Sequence, residues 1–516
     1  MRIGQAIRRA AQLHGGRPAL HDPERTVPWA ELEHRVRRAA GGLRDLGIRP
    51  GDRVAILAGN STRYLEALYA IAWTGAVSVP INTRLAEAEM ADWITDSGST
   101  ALLTDQQFAD TAIRLRTGQG SVPTVIGMDD PGPQQVSLED LLTGGTPAAE
   151  ADGDGAALAG IFYTGGTTGR SKGVMLSHDN LLASAMHLLP SMGWDDSSHF
   201  LHAAPMFHLA DGVSSFAALL VAGCQSAIPR FTAAGLLDAV EQTRVTTTVI
   251  VPTMINLITL EPSAADRDLS SWQSLVYGGS PIPEAVMQRA AATLPGVRLF
   301  QLYGQTEASP ALTLLGPEHH VIGPANTRSR AAGRALVGCE IRIVDEQDQP
   351  LPAGQVGEIC GRGDNVMVGY WNQPAETART LRGGWLHTGD AGYLDDDGFL
   401  FVVDRVKDMI VTGAENVYSA EVENALCLHP AVAEAVVIGI PATQWGEQVH
   451  AIVRLHPGQT VTEADLVAYC RTRIAGYKCP RSIEFRTEPF PVSGAGKYLK
   501  KELREHYWRG LARQVN

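Results

Sequence analysis

Over roughly its first 300 residues the chain alternates short β-branched runs with longer helical patterns, and that alternation restricts the fold more than any other feature. Pro28 opens a helical stretch with apolar residues at Ala30, Leu32, Val36, Ala39, Ala40 and Leu43, and Gly47 closes it, as helix start and stop chemistry predicts. A strand over 53–57 follows, Asn60 is placed to cap a second helix running to Trp73, and β-rich runs recur at 76–81, 101–104 and 124–127. Farther on, helices over 180–189, 213–221, 236–243 and 283–294 interleave with strands near 200–204, 226–228, 247–251, 274–277 and 298–302. Strands separated by helices of this length pair in parallel, with helices on both faces. The expected class is therefore α/β, a large N-terminal domain of parallel-rich sheets flanked by helices. Beyond Gly338 the texture changes to short runs at 340–345 and 355–361, a small β-rich, antiparallel or barrel-like subdomain. From about Arg405 a small α+β unit closes the chain, dividing it into 1–404 and 405–516.

Within this pattern, residues 163–173 read YTGGTTGRSKG, directly after an apolar run suited to a buried strand. Gly165, Gly166 and Gly169 let backbone N–H groups turn toward an anion without Cβ interference. Thr164, Thr167, Thr168 and Ser171 add hydroxyls and Lys172 a positive charge, so the stretch has the make-up of a phosphate cradle. No glycine precedes Lys172 and Gly173 follows it, so the Walker pattern of P-loop NTPases is not met. By itself the stretch is equally a flexible surface turn.

Charge and cysteine usage narrow the partners. The net charge of −13 gives no general affinity for nucleic acid or an anionic membrane surface. Residues 405–516 are the exception, with 14 Lys and Arg against 12 Asp and Glu, a balance that suits a polyphosphate ligand. The six cysteines form no CxxC pair and no zinc-like spacing, which fits a reducing cytoplasm. The N-terminal stretch lacks an apolar signal core and reads as an amphipathic helix, and no run of 18 apolar residues suggests a membrane span.

At the end of the predicted strand 298–302, Tyr303-Gly304-Gln305-Thr306-Glu307 gathers an aromatic ring, a glycine, a hydroxyl and a carboxylate. Carboxyl edges of open α/β sheets are where ligands bind. A carboxylate beside a phosphate cradle repels the ligand unless a dication bridges them, which makes Glu307 a candidate ligand for Mg²⁺. Later, Asp390 could accept hydrogen bonds from two ribose hydroxyls and Arg405 could balance phosphate charge.

These segments, together with PVSGAGKYLKKELR near the end and GDRVAIL and NST near residue 60, resemble in order and spacing the adenylate-forming (ANL) superfamily of acyl-CoA synthetases, amino-acid adenylating domains and firefly luciferase. The closest likeness is to the AMP-dependent acyl-CoA and aryl-CoA ligases, and it covers essentially the whole chain. The resemblance implies that the cradle holds the phosphates of ATP, with Thr164 and Glu307 on Mg²⁺. It implies that Tyr303, Gly304, Gln305 and Thr306, with Gly278, Gly279 and Ser280, surround the adenine, and that Asp390 and Arg405 hold the ribose. Lys497 corresponds to the lysine that reaches ATP and the substrate carboxylate during adenylation. Lys407 occupies the hinge position of a C-terminal domain that rotates between half-reactions, and Gly413, Ala414 and Glu415 line the CoA channel. Gly165, where relatives carry Ser or Thr, and Ala414, where many carry Gly, depart from the pattern.

His208, in APMFHLADG, corresponds to a histidine beside the substrate carboxylate. With Leu209, Val213, Gly279, Ala308 and Pro310 it implies an apolar acyl pocket suited to a fatty or aryl-alkenoyl acid. Amino-acid-activating relatives place an Asp immediately after the histidine; here that residue is Leu209, and Asp211 stands two positions farther on. The expected activity is ATP-dependent CoA ligation through an acyl-adenylate. The alternatives are loading of an acyl carrier protein and a nucleotide-binding regulatory protein, and a homodimer is left open. A hydrolase is disfavoured because no GxSxG elbow occurs.

Overall fold

The computed structural model describes residues 1–117, 122–129, 136–164, 171–280, 282–320, 327–405, 409–412, 415–442, 446–492 and 498–509. One large sheet has eight strands, in the order Gly369–Tyr370, Lys172–Ser177, Leu158–Thr164, Val77–Pro80, Arg53–Leu57, Ser99–Thr104, Thr124–Gly127 and Val136–Ser137. The strands from Leu158–Thr164 onward pair in parallel, and the first three are antiparallel neighbours. A second sheet of nine strands has Arg298–Tyr303, Ser274–Gly278, Thr247–Ile250, His199–His202 and Cys224–Ala227 parallel and adjacent at its centre.

Both sheets are buried on both faces, which explains why their strands read as nearly continuous apolar runs. Along Arg53–Leu57 the side chains alternate between two cores: Val54 and Ile56 enter one, Ala55 and Leu57 the other. The first core also takes Phe200, Val249, Val276 and Phe300 from the nine-stranded sheet. Helices Trp29–Asp45, Thr62–Thr74, His178–Met192 and Leu209–Val221 fill it, so they lie between the two sheets. Helices Ala233–Thr243, Pro252–Thr259 and Glu284–Thr293 cover the outer face of the nine-stranded sheet, and Glu87–Ser97 covers that of the eight-stranded one.

The second helix begins at Thr62 and its cap is Ser61, whose oxygen accepts from the Tyr64 N–H at 3.1 Å. Asn60 therefore has a different task from the one expected. Its amide donates to the carbonyls of His202 (3.3 Å) and Ala204 (2.8 Å) and accepts from the Met206 N–H (2.8 Å). It ties the end of one sheet's strand to the loop that leads into His208.

Four antiparallel strands, Cys339–Val344, Gly357–Gly363, Leu386–Leu394 and Leu400–Arg405, form the small β-rich subdomain. A further sheet joins Ile410–Thr412, Glu415–Val417, Val432–Ala442, Gly446–Leu455 and Ser482–Phe485, with helices Ser419–Cys427 and Glu463–Arg471 against it and apolar cores of its own. All six cysteines are free thiols. Among the described residues no helix is long and apolar enough to cross a membrane.

Candidate active site

The parallel register of the nine-stranded sheet brings three predicted segments to one carboxyl edge. Strand Ser274–Gly278 runs into Gly279 and Ser280, its neighbour Arg298–Tyr303 runs into residues 304–307, and Gly278 sits opposite Leu302. Two glycines are needed for that edge: Gly279 has φ +83°, and a Cβ on Gly304 would run into the Pro310 carbonyl. The short turn Thr306–Ala308 then seats Glu307, only 8% exposed. His208 stands at the N-terminus of helix Leu209–Val221, its ring centre 4.6 Å from that of Phe207.

Opposite stands a pair of antiparallel strands that flank the glycine-rich stretch in sequence. Leu158–Thr164 pairs with Lys172–Ser177, a strand unforeseen in the sequence, and Thr164 faces Lys172. Gly165, Gly166, Thr167, Thr168 and Gly169 lie outside the described residues. The stem is pinned: the Tyr163 phenol donates to Asp96 at 2.5 Å and its ring stacks on Trp93 at 4.8 Å. A strap over residues 364–371 joins hairpin to edge. Asn365 donates to the carbonyls of Ala308 (2.8 Å) and Ala311 (2.6 Å), Met367 donates to that of Glu307 (2.8 Å), and Gly369–Tyr370 pairs with the hairpin strand.

The strap delivers Tyr370, whose phenol donates to Glu307 at 2.7 Å. The Lys172 ammonium lies 5.0 Å from the centre of the same ring and pairs with Glu376. Burial draws that ammonium below the ordinary lysine range; Glu307 opposes the fall and Arg379 adds to it. Tyr370 and Glu376 escaped the sequence reading because they lie about 200 residues from Lys172 and carry no motif of their own.

Asp390 lies on strand Leu386–Leu394, opposite Arg405, and accepts a hydrogen bond from the Tyr303 phenol at 2.9 Å. Its strand is braced from below. Glu358 accepts from the Gly389 N–H (3.1 Å) and Arg382 (3.1 Å), and lies 2.8 Å from His387 Nδ1. Glu358, Cys360 and His387 bring their donor atoms within 4.8 Å of one another. Arg382 already neutralises Glu358, and burial pushes the Cys360 thiol up to about 12, so the trio reads as a brace. For Arg405 and Glu415 the backbone alone is described, and Lys407, Gly413, Ala414 and Lys497 lie outside the described residues.

Of the predicted acyl-pocket residues, Leu209, Val213 and Ala308 are buried. Leu209 lines a small apolar cavity with Tyr64, Pro80, Phe162, Met206 and Phe216, whereas Val213, Gly279, Ala308 and Pro310 do not border it. Asp211 is fully buried, 2.7 Å from His202 Nδ1, and burial raises its carboxyl above the ordinary range.

A family model described as AMP-binding enzyme matches residues 7–371, and one described as AMP-binding enzyme C-terminal domain matches residues 421–497. The chain belongs to the AMP-binding enzyme family. It is 38% identical over 506 residues to a feruloyl-CoA synthase of Amycolatopsis sp, covering 97% of this chain and 98% of that protein. It is 35% identical to the fatty acid–[acyl-carrier-protein] ligase ScoC of Streptomyces coeruleorubidus, covering 98% and 96%. Among solved structures it resembles o-succinylbenzoate CoA synthetase (MenE) from Bacillus subtilis in complex with the acyl-adenylate intermediate OSB-AMP. That likeness has a TM-score of 0.84 and 32% identity, covering 96% of this chain and 97% of that one.

Proposed function

We propose that the protein is an ATP-dependent acid–thiol ligase that activates an apolar carboxylic acid as an acyl-adenylate and transfers the acyl group to CoA. The observation that carries this reading is the meeting of Glu307, the Tyr303–Asp390 pair and the Lys172 hairpin at one sheet edge, in a member of the AMP-binding enzyme family. In the first step a carboxylate oxygen bonds to the α-phosphorus while the bridging P–O bond breaks, its electron pair leaving with pyrophosphate. Both reactants are anionic, so positive charge fixed in advance lowers the barrier. Lys172 supplies it from the hairpin and Lys497 from the C-terminal unit. Gly165, Gly166 and Gly169, with Thr167 and Thr168, hold the leaving phosphates, Asp390 and Arg405 the ribose, and Gly278, Gly279, Ser280 and Tyr303 the adenine.

Thr164 and Glu307 offer oxygen donors alone, partly withdrawn from water, which is the set a hard dication takes. They would hold Mg²⁺, which when bound neutralises phosphate charge. In the second step the CoA thiolate attacks the acyl carbon and AMP leaves. Gly413, Ala414 and Glu415 line its approach, and rotation of 405–516 against 1–404 about Lys407 exchanges the two half-sites.

An apolar acid is favoured because Asp211, three residues after His208, is buried and paired with His202 rather than open to a substrate ammonium. The similarity to a fatty acid–[acyl-carrier-protein] ligase supports a second reading, in which a carrier-protein thiol replaces CoA. Incubation with ATP, a panel of fatty and aryl acids, and either CoA or a carrier protein bearing a free pantetheine thiol separates the two by the thioester formed. Lys497→Ala should lose adenylation yet convert preformed acyl-adenylate with CoA. Equal loss of both half-reactions would contradict the rotation.

A further inference from the structure

We propose that Glu376 is a positioning residue for the hairpin lysine: it stands in for the phosphates when no nucleotide is bound and competes with them when ATP arrives. This rests on the reading above that Lys172 meets the phosphates of ATP. Helix Pro374–Thr380 sets Glu376 over the stem of the hairpin, where one carboxylate oxygen contacts Lys172 Nζ and the other contacts Arg379. The side chains of Lys172 and Glu376 are only 17% and 15% exposed, so the pair is largely withdrawn from water. Around the ammonium stand Glu376, Arg379, the Tyr370 ring and, through the Tyr370 phenol, Glu307.

An ammonium in such surroundings has lost much of its hydration, and a carboxylate partner offsets part of that loss. Glu376 is that partner and holds the Lys172 ammonium in place before substrate enters. The β- and γ-phosphates of ATP would satisfy the same ammonium, and a carboxylate left beside them repels them. ATP or pyrophosphate must therefore displace Glu376 from Lys172, and the ion pair re-forms as pyrophosphate leaves. AMP, which has neither β- nor γ-phosphate, makes no such demand.

The test is calorimetric titration of wild type and Glu376→Gln with Mg²⁺ and ATP, pyrophosphate or AMP, in the absence of acid substrate. The variant should bind ATP and pyrophosphate tighter by about three- to tenfold, the scale of a partly exposed ion pair. Its AMP affinity should be unchanged, which also shows that the variant is folded. In a Lys172→Ala background the Glu376→Gln change should have no further effect. Unchanged or weaker ATP binding, an equal shift for AMP, or the same gain without Lys172 would overturn the inference. If wild type binds AMP but gains nothing from the added phosphates of ATP, the phosphate reading of the hairpin fails and this inference with it.

Discussion

Glu66 and Glu307 are both carboxylates withdrawn from water, but their surroundings differ in kind. Glu66, fully buried between helices Trp29–Asp45 and Thr62–Thr74, meets three guanidinium groups: Arg35 at 2.6 Å, Arg25 at 2.7 Å and Arg63 at 3.1 Å. Burial alone would raise its pKa, and Arg25 and Arg35 outweigh that and hold it below the ordinary range. Glu307 is nearly as buried, yet it receives a neutral phenol, and the lysine across the Tyr370 ring is paired with Glu376. Charge saturated by guanidinium groups inside the protein holds the fold; a carboxylate that receives a phenol, while the lysine across the ring is paired with another acid, is held ready for a ligand.

The contrast can be broken by exchanging one quantity for the other. Glu66→Ala, which takes from buried Arg35 one of its two carboxylate partners and leaves it Glu139, should cost about 3 kcal/mol of stability in denaturant unfolding while sparing activity per folded molecule. Glu307→Gln should do the reverse, slowing acid-dependent ATP–pyrophosphate exchange by about 10²–10³-fold with the unfolding midpoint unchanged. A comparable loss of stability in both variants would erase the distinction.

Acid should reveal the structural groups first. His178, His199 and His320 are each lowered by burial from 6.5 to about 4, so they are neutral in the fold and take up protons on unfolding. Their contribution is complete above pH 6.5 and falls as pH drops toward about 4. Glu66, its folded pKa lowered, adds stability that is present above the ordinary carboxylate range and lost as pH falls through the folded value. Unfolding midpoints that stay constant across this window would contradict the assignment. The smallest effect belongs to Tyr370→Phe, which removes one hydrogen bond from Glu307 and should slow exchange about three- to tenfold.

Sequence alone carried the parts whose chemistry is local. The βαβ alternation, the Tyr303–Glu307 turn and the glycine-rich stretch each announce themselves within a few residues, and the strands expected lie within a few residues of strands observed. What stayed hidden depends on contacts across long sequence distances. Lys172 reads as part of a loop, but strand pairing with 158–164 makes it the first residue of a strand, and its partner Glu376 arrives on a helix with no motif. Asn60 has the composition of a cap and is drawn away by three backbone groups of another sheet's loop. Glu358 and His387 look like ordinary strand residues until their pairing places them under Asp390.

The central claim is that the edge holding Glu307, faced by the Lys172 hairpin, makes acyl-adenylates before any thiol is needed. Exchange of labelled pyrophosphate into ATP, measured over fatty and aryl acids with CoA omitted, tests it directly. Exchange should depend on the acid and be nearly abolished in Glu307→Gln. No exchange with any acid, or exchange that appears only when CoA is added, would contradict it.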